Sequence, residues 1–329
     1  MKIRTYLAAV FDGMAKGLFA SLIIGTIIKQ LGDLLNIPAL TAIGQVAQYM
    51  MGPCIGAGVA FARKSKQFTL ASAIVAGALG AGTVTAAGGI AIGEPLGACI
   101  AAVAAVECAG FLEGKTKFDL LVVPAASLLV AGLLGVFVSP LIAMLMQAIG
   151  ALVNSFAEIQ PLPMGFLLGL TVGMVLTGPI SSAALCIALG LEGLAAGAAL
   201  AGCCAQMVGF AASSFRENKA GGVVIQCLGT SMLQMKNIIK NPWVWLPPTL
   251  TGAVCGALSA TVFRMETNAV GAGMGSSGLV GQFSTFAVMG AGSIPLMLVL
   301  HLAIPAVLSF LISELMRKKG LIKAGDLAL

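Results

Sequence analysis

Long apolar runs of membrane-spanning length, separated by short polar or basic connectors, recur along the whole chain. About 20 consecutive apolar residues cross the hydrocarbon core of a bilayer as a helix. By that rule the runs at 15–32, 40–62, 68–90, 96–112, 119–150, 162–178, 180–212, 243–263 and 286–316 predict spans. The 180–212 run is long enough for two short passes, and the piece at 221–235 is too short to cross, so it predicts a half-helix or re-entrant segment. Lys2 and Arg4 precede the first run, Asp12 and Lys16 interrupt it, and no clean small-residue cleavage site follows. It therefore predicts a retained first helix and not a removed signal peptide. The expected architecture is all-α integral membrane, with about ten transmembrane helices and some broken segments.

Basic side chains concentrate on the cytoplasmic side of such proteins. Six clusters lie between the apolar runs: Lys2/Arg4/Lys16, Arg63/Lys64/Lys66, Lys115/Lys117, Arg216/Lys219, Lys236/Lys240 and Arg317/Lys318/Lys319. All six fall on one side if 180–212 crosses twice and 221–235 dips back, which places both termini in the cytoplasm. The connectors at 33–38, 154–161 and 264–285 then lie outside or in a solute cavity.

Three motifs recur in order. Gly52-Pro53 is echoed by Gly178-Pro179, Ala87-Gly88-Gly89-Ile90-Ala91-Ile92 by Ala220-Gly221-Gly222-Val223-Val224-Ile225, and the run after Pro124 by the run after Pro248. The offsets are 126, 133 and 124 residues. They predict two membrane repeats, 1–155 and 156–329, forming one membrane-embedded unit. If each repeat has an odd number of passes the two are inverted, an arrangement common among alternating-access transporters.

Composition sharpens the class. The 329 residues are 59% hydrophobic and 9% charged, with a mean hydropathy of +1.03. A water-soluble domain has about 25% charged residues, so too little polar surface exists to face water. The net charge of +6 sits in connectors and reports orientation, not nucleic-acid binding. The 43 glycines suit close helix contact in lipid, and Gly169–Gly173 and Gly252–Gly256 carry the small-xxx-small spacing. The eight cysteines lie in apolar stretches without a CxxC pair and read as small buried hydrophobes. Cys203-Cys204 is the one vicinal pair.

Ionisable or amide side chains at membrane depth are functional candidates because each is costly without a partner or a wet cavity. Glu94 follows a glycine pair and precedes Pro95, at a predicted helix break. A carboxylate there suits a sugar hydroxyl, a cation or a proton, or else caps a helix start. Glu107 is 13 residues further on and cannot pair with it on one helix. The corresponding break in the second half carries an amide, Gln226. Ser181 and Ser182 follow the Gly178-Pro179 break, where hydroxyls and freed backbone groups hold polar ligands. Thr267, Asn268, Ser276 and Ser277 lie in a Gly-dense loop whose formal G-x-G-x-x-G (Gly273, Gly275, Gly278) lacks the strand-turn-helix context of a dinucleotide site. That loop reads as one dipping into the protein. His301 is the only histidine and suits a proton relay, a solute contact or an interhelical hydrogen bond. Trp243 and Trp245 read as interfacial anchors. No nucleophile–base pair, metal-ligand cluster or P-loop is present, so no catalytic residue, metal or cofactor is expected.

Gly178-Pro179-Ile180-Ser181-Ser182-Ala183-Ala184, Lys240-Asn241-Pro242-Trp243-Val244-Trp245-Leu246-Pro247-Pro248 and the segment from Thr267 to Gly278 resemble a bacterial membrane family. It is the phosphotransferase-system EIIC-like family, which includes PfoR-type proteins described as toxin regulators. The resemblance covers essentially the whole chain. It implies a sugar-permease-like protein of the bacterial cell membrane, homodimeric as EIIC domains often are. It also implies separate IIA and IIB phosphocarrier partners, since no IIA or IIB sequence is fused here.

The leading expectation is a permease for a small polar, sugar-like solute, with Glu94, Gln226, Ser181, Ser182, Thr267, Asn268, Ser276, Ser277 and His301 as solute contacts. The alternatives are a solute-sensing membrane regulator that does not translocate, and a proton- or cation-coupled secondary transporter independent of phosphorylation.

Overall fold

A computed structural model describes residues 3–84, 89–115, 117–157 and 160–329. Ala87 and Gly88 of the second echo, and Glu158 and Ile159 of the 154–161 connector, lie outside the described residues. Helix accounts for 82% of the structure, and no strand forms among the described residues. The protein is thus an all-α membrane protein. Among the described residues five helices are long and apolar enough to cross a bilayer: Ile3–Leu35, Pro95–Leu112, Gly193–Ser213, Pro242–Phe263 and Ser293–Lys318. The apolar stretches Met51–Ala62, Gln67–Ala81, Asp119–Gly135, Met144–Val153 and Pro161–Thr177 are shorter. The chain forms two compact units, Met1–Leu145 and Met146–Leu329.

In the first unit the opening helix starts earlier than hydropathy alone suggests. Lys16 and Asp12, one turn apart, form an ion pair at 2.6 Å, which lets Ile3–Leu35 continue through both charges. A π-helical turn at Phe19–Ile23 lies within it. The expected 40–62 span is two helices, Pro38–Tyr49 and Met51–Ala62, joined at Met50 (φ −81°, ψ 9°). Pro53 explains the break, since its ring would collide with the carbonyl four residues back in a continuous helix. Among the described residues of the 68–90 run the helix is Gln67–Ala81, which Gly82 ends in a left-handed conformation (φ 70°). Glu107 bonds outside this apolar interior, half-exposed against Arg63 (3.0 Å) and the Tyr6 hydroxyl (2.8 Å).

The second unit is built around Gly193–Ser213. This helix is 89% buried across its apolar window, so protein and not lipid surrounds it. Pro161–Thr177, Leu246–Leu258 and Ile304–Lys318 pack against it. The approach is backbone to backbone: a Cβ on Gly202 would meet Gly169 Cα at 2.5 Å, and one on Gly169 would meet Gly256 Cα at 2.9 Å. Only glycine permits that approach. The expected pair of passes over 180–212 is instead the short helix Ser182–Ala188 followed by this one long helix. Gly190 and Gly193, both at φ 58°, make the turn between them.

Candidate functional site

Glu94 occupies the N-cap position of Pro95–Leu112 in an extended conformation (φ −105°, ψ 123°). Its N–H donates to the Ala81 carbonyl (3.0 Å), after Gly93 at φ 81°. Among the described residues the chain is non-helical at 82–84 and 89–94, and Glu94 ends that break in the first unit.

In the second unit three broken segments converge. Ser182 Oγ donates to the Gly273 carbonyl (2.7 Å), tying the Gly178-Pro179 break to the Gly-dense loop. Ser276 Oγ donates to the Cys227 carbonyl (2.6 Å), tying the same loop to the π-helical turn Ile225–Gly229. That turn lies in the segment expected to be re-entrant. Within the loop, Asn268 Oδ1 caps Ala269–Ala272 by accepting from Gly271 N–H, and Ser181 Oγ caps Ser182–Ala188 by accepting from Ala184 N–H. These two side chains hold backbone ends as well as facing the breaks. Gln226 is buried with both amide hydrogens in use, one to Ser214 Oγ (2.8 Å) and one to the Gly222 carbonyl (3.1 Å).

Other polar groups in this unit have no hydrogen-bond partner among the described residues. Buried Thr267 Oγ1, Ser277 Oγ, Gln282 Oε1 and both ring nitrogens of His301 all lack one, as do Ser259 Oγ and Ser313 Oγ. Each lies against, or on a segment packed against, the Gly193–Ser213 helix. Thr267 forms an isolated bridge with Gly193, Gln282 Nε2 reaches Cys204 Sγ (3.4 Å), and Ser276 reaches Met207 Sδ (3.6 Å). His301 sits in the π-helical turn Leu298–Ala303, which packs on the same helix. From Gly193 to Met207 is 14 residues, about 21 Å at 1.5 Å per residue, out of a hydrocarbon core about 30 Å thick. A cavity of about 230 Å³ adjoins this line; its lining is almost wholly apolar, from residues such as Cys227, Leu279, Met297 and Leu302, with Ser276 and Gln282 at its edge. Buried polar groups are satisfied almost without exception in folded proteins, which makes Thr267, Ser277, Gln282 and His301 candidates for contact with a ligand.

Sequence reading missed Gln206 and the role of one indole. Gln206, fully buried in the enclosed helix, accepts from Thr177 Oγ1 (3.0 Å) and Trp245 Nε1 (3.1 Å) and donates to Thr249 Oγ1 (3.0 Å). Thr177 also bonds Ser231 (2.8 Å). Gln206 could have been found as the only amide inside an Ala/Gly/Cys span. Trp243 is exposed, but Trp245 turns inward, a correction to its reading as an interfacial anchor. Among the described residues no group of three metal-ligating side chains occurs.

Glycine-packed spans, interrupted helices and a line of buried polar groups in the second unit are those of an all-α membrane protein. The family model described as phosphotransferase system, EIIC matches residues 8–329, and the chain belongs to that family. EIIC components are the membrane permease subunits of sugar phosphotransferase systems. No curated protein and no solved structure matches the chain.

Proposed function

We propose that this chain translocates a small polar, sugar-like solute, and that the solute is handled in the second unit where the three broken segments meet. The supporting observation is the set of buried, unpartnered groups at Thr267, Ser277, Gln282 and His301 along one enclosed helix. A sugar presents several hydroxyls, each a donor and an acceptor, and would supply the missing partners in turn. Ser276 and Ser181 and Ser182 complete the polar lining. Asn268 and Gln226 act mainly by holding the loop and the turn in place, Gln226 keeping one free lone pair on Oε1. Glu94 is assigned a hydroxyl-accepting or coupling-proton role at its own break in the first unit.

In the same reading the protein lies in the bacterial cell membrane with both termini cytoplasmic, its halves are inverted repeats, and it works as a homodimer. Separate IIA and IIB phosphocarriers phosphorylate the solute. The test is a thermal-shift screen of sugars on purified protein, followed by flux of any stabilising sugar into liposomes. A sugar that stabilises wild type but not Ser277→Ala or His301→Ala, and that crosses with wild type only, supports the reading. A sugar that binds both variants as well as wild type refutes the site. Binding without flux, with phosphorylated IIB supplied, would favour the sensor.

A further inference from the structure

Residues 321–329 leave the last long helix and lie back across the second unit, held by amide side chains from another part of the chain. Asn218 Nδ2 donates to the Leu327 carbonyl (2.8 Å), and Leu329 N–H donates to Asn218 Oδ1 (2.9 Å). Gln234 Nε2 donates to the same Leu327 carbonyl (3.0 Å), and Asn237 Nδ2 to the Ala328 carbonyl (2.9 Å). Asn241 Nδ2 reaches both the Leu321 carbonyl (2.9 Å) and Asp326 Oδ2 (2.8 Å). Ile322 and Leu327 are buried in an apolar cluster with Phe210, Ile238, Val244 and Met316. All of these amides come from 218–241, the stretch that contains the broken segment.

The link inward runs through one side chain. Gln234 Nε2 donates both to the Leu327 carbonyl and to Gln226 Oε1 (2.9 Å), and Asn237 Nδ2 fixes the Gln234 carbonyl from the other side (2.7 Å). Gln226 belongs to the Ile225–Gly229 turn, whose Cys227 carbonyl accepts from Ser276 in the Gly-dense loop. Thus hydrogen bonds join Leu327 to Gln234, Gln234 to Gln226 and, through the peptide bond to the next residue, Cys227 to Ser276, one line from the 321–329 segment to the edge of the cavity.

We propose that residues 321–329 are a strap, and that Gln234 is the positioning residue through which the strap sets the Ile225–Gly229 turn at the solute site. While the strap is seated, both donors of Gln234 are engaged and the turn is held. When it lifts, Gln234 loses Leu327, and the turn opens to water as a local unit below the stability of the bundle. The name given to the site rests on the proposed transport reading, but the strap is tested without any solute.

Cys227 lies in the turn and is only partly buried, whereas Cys203 and Cys99 are buried inside long helices. Full-length protein in nanodiscs is labelled with N-ethylmaleimide, and each cysteine is followed by peptide mass spectrometry. Gln234→Leu and Leu327→Asp are each expected to raise the Cys227 labelling rate about tenfold, the factor that one net hydrogen bond is worth. Cys203 and Cys99 are expected to stay unlabelled. Leu327→Asp is decisive because it unseats the strap without altering the turn. If Cys227 labels at the wild-type rate in Leu327→Asp, the strap does not hold the turn and the proposal is overturned. If Cys203 also reacts in that variant, the bundle has opened, and Asn237→Leu is read instead with the same two outcomes. A sugar screen that finds no ligand, beside a tenfold rise at Cys227, would sink the transport site and leave the strap standing.

Discussion

The glycine seam around Gly202 makes a quantitative prediction. A methyl at this position would lie 2.5 Å from Gly169 Cα and 2.6 Å from Gly169 C, and closer still to the Gly169 carbonyl oxygen. Ordinary carbon contacts sit at about 3.5–4.0 Å, so Pro161–Thr177 and Gly193–Ser213 must separate by about 1 Å. The obstacle is backbone, so no rotamer change relieves it. A gap of that size forfeits about a quarter to a half of each dispersion contact it stretches, and overpacking a tight interior costs about 1–3 kcal/mol. Gly202→Ala is therefore expected near the top of that range, at about 3 kcal/mol, or roughly 150-fold in the folding equilibrium. Gly132→Ala is the matched control. It makes the same chemical change inside the helix Asp119–Ala157, where an added Cβ meets nothing within 4 Å, and a helical glycine replaced by alanine gains about 0.5–1 kcal/mol. Unfolding by titration with sodium dodecyl sulfate from a mild detergent measures both. If the two variants unfold within about 1 kcal/mol of each other, helices do not touch at Gly202 and the reasoning is wrong.

Gln206→Leu leaves Trp245 Nε1 without its partner, while Thr177 keeps Ser231 and Thr249 keeps the Trp245 carbonyl, and at about 1–3 kcal/mol for one group left unsatisfied it is expected to destabilise by that amount. In a Trp243→Phe background, where Trp245 is the sole indole, its emission should shift to shorter wavelength, and unchanged emission would count against the hydrogen bond. Arg317 and Glu217 form a mostly buried pair at 2.8 Å. Arg317→Met alone should cost about 3–5 kcal/mol by leaving a buried charge, while adding Glu217→Leu should recover most of it in the same titration. Ser277→Ala removes a hydroxyl with no partner among the described residues. Its stability should stay within about 0.5 kcal/mol of wild type, and any effect should appear in solute flux.

Much of the fold is legible in the sequence because lipid imposes one dominant rule, apolar length. The rule fails where local geometry overrides hydropathy. Asp12 and Lys16 read as interruptions until their pairing on one helix face is known, and Pro53 cuts an apolar run that hydropathy would carry through. Gly190 and Gly193 turn the chain inside a stretch apolar enough for two passes. At the candidate site, the breaks at 178–182 and 225–229 and the Gly-dense loop were visible from Gly, Pro and hydroxyl residues. That Ser182 meets Gly273 and Ser276 meets Cys227 was not, since those contacts join positions 91 and 49 residues apart. Gln206 and Gln234 escaped notice because amides carry no charge and neither follows a Gly-Gly or Gly-Pro break as Gln226, Ser181 and Ser182 do. Only tertiary structure shows that one joins helix ends and the other links the turn to the strap.

The enclosure of Gly193–Ser213 bears on how the protein is made. A span surrounded by protein in the finished molecule still enters the membrane as a separate helix, with lipid on every side, before its neighbours close around it. Its residues must satisfy two solvents in succession: apolar enough for the bilayer at first, then small enough for backbones to meet. Alanine, glycine and cysteine do both. Gln206 does not suit the first stage, and until Thr177, Trp245 and Thr249 arrive its amide has no helix to bond. The gathering of Pro161–Thr177 and Pro242–Phe263 around the central helix is the step that supplies those partners. Substitutions that delay that gathering should show as loss of protein to quality-control proteolysis even where the folded state tolerates them.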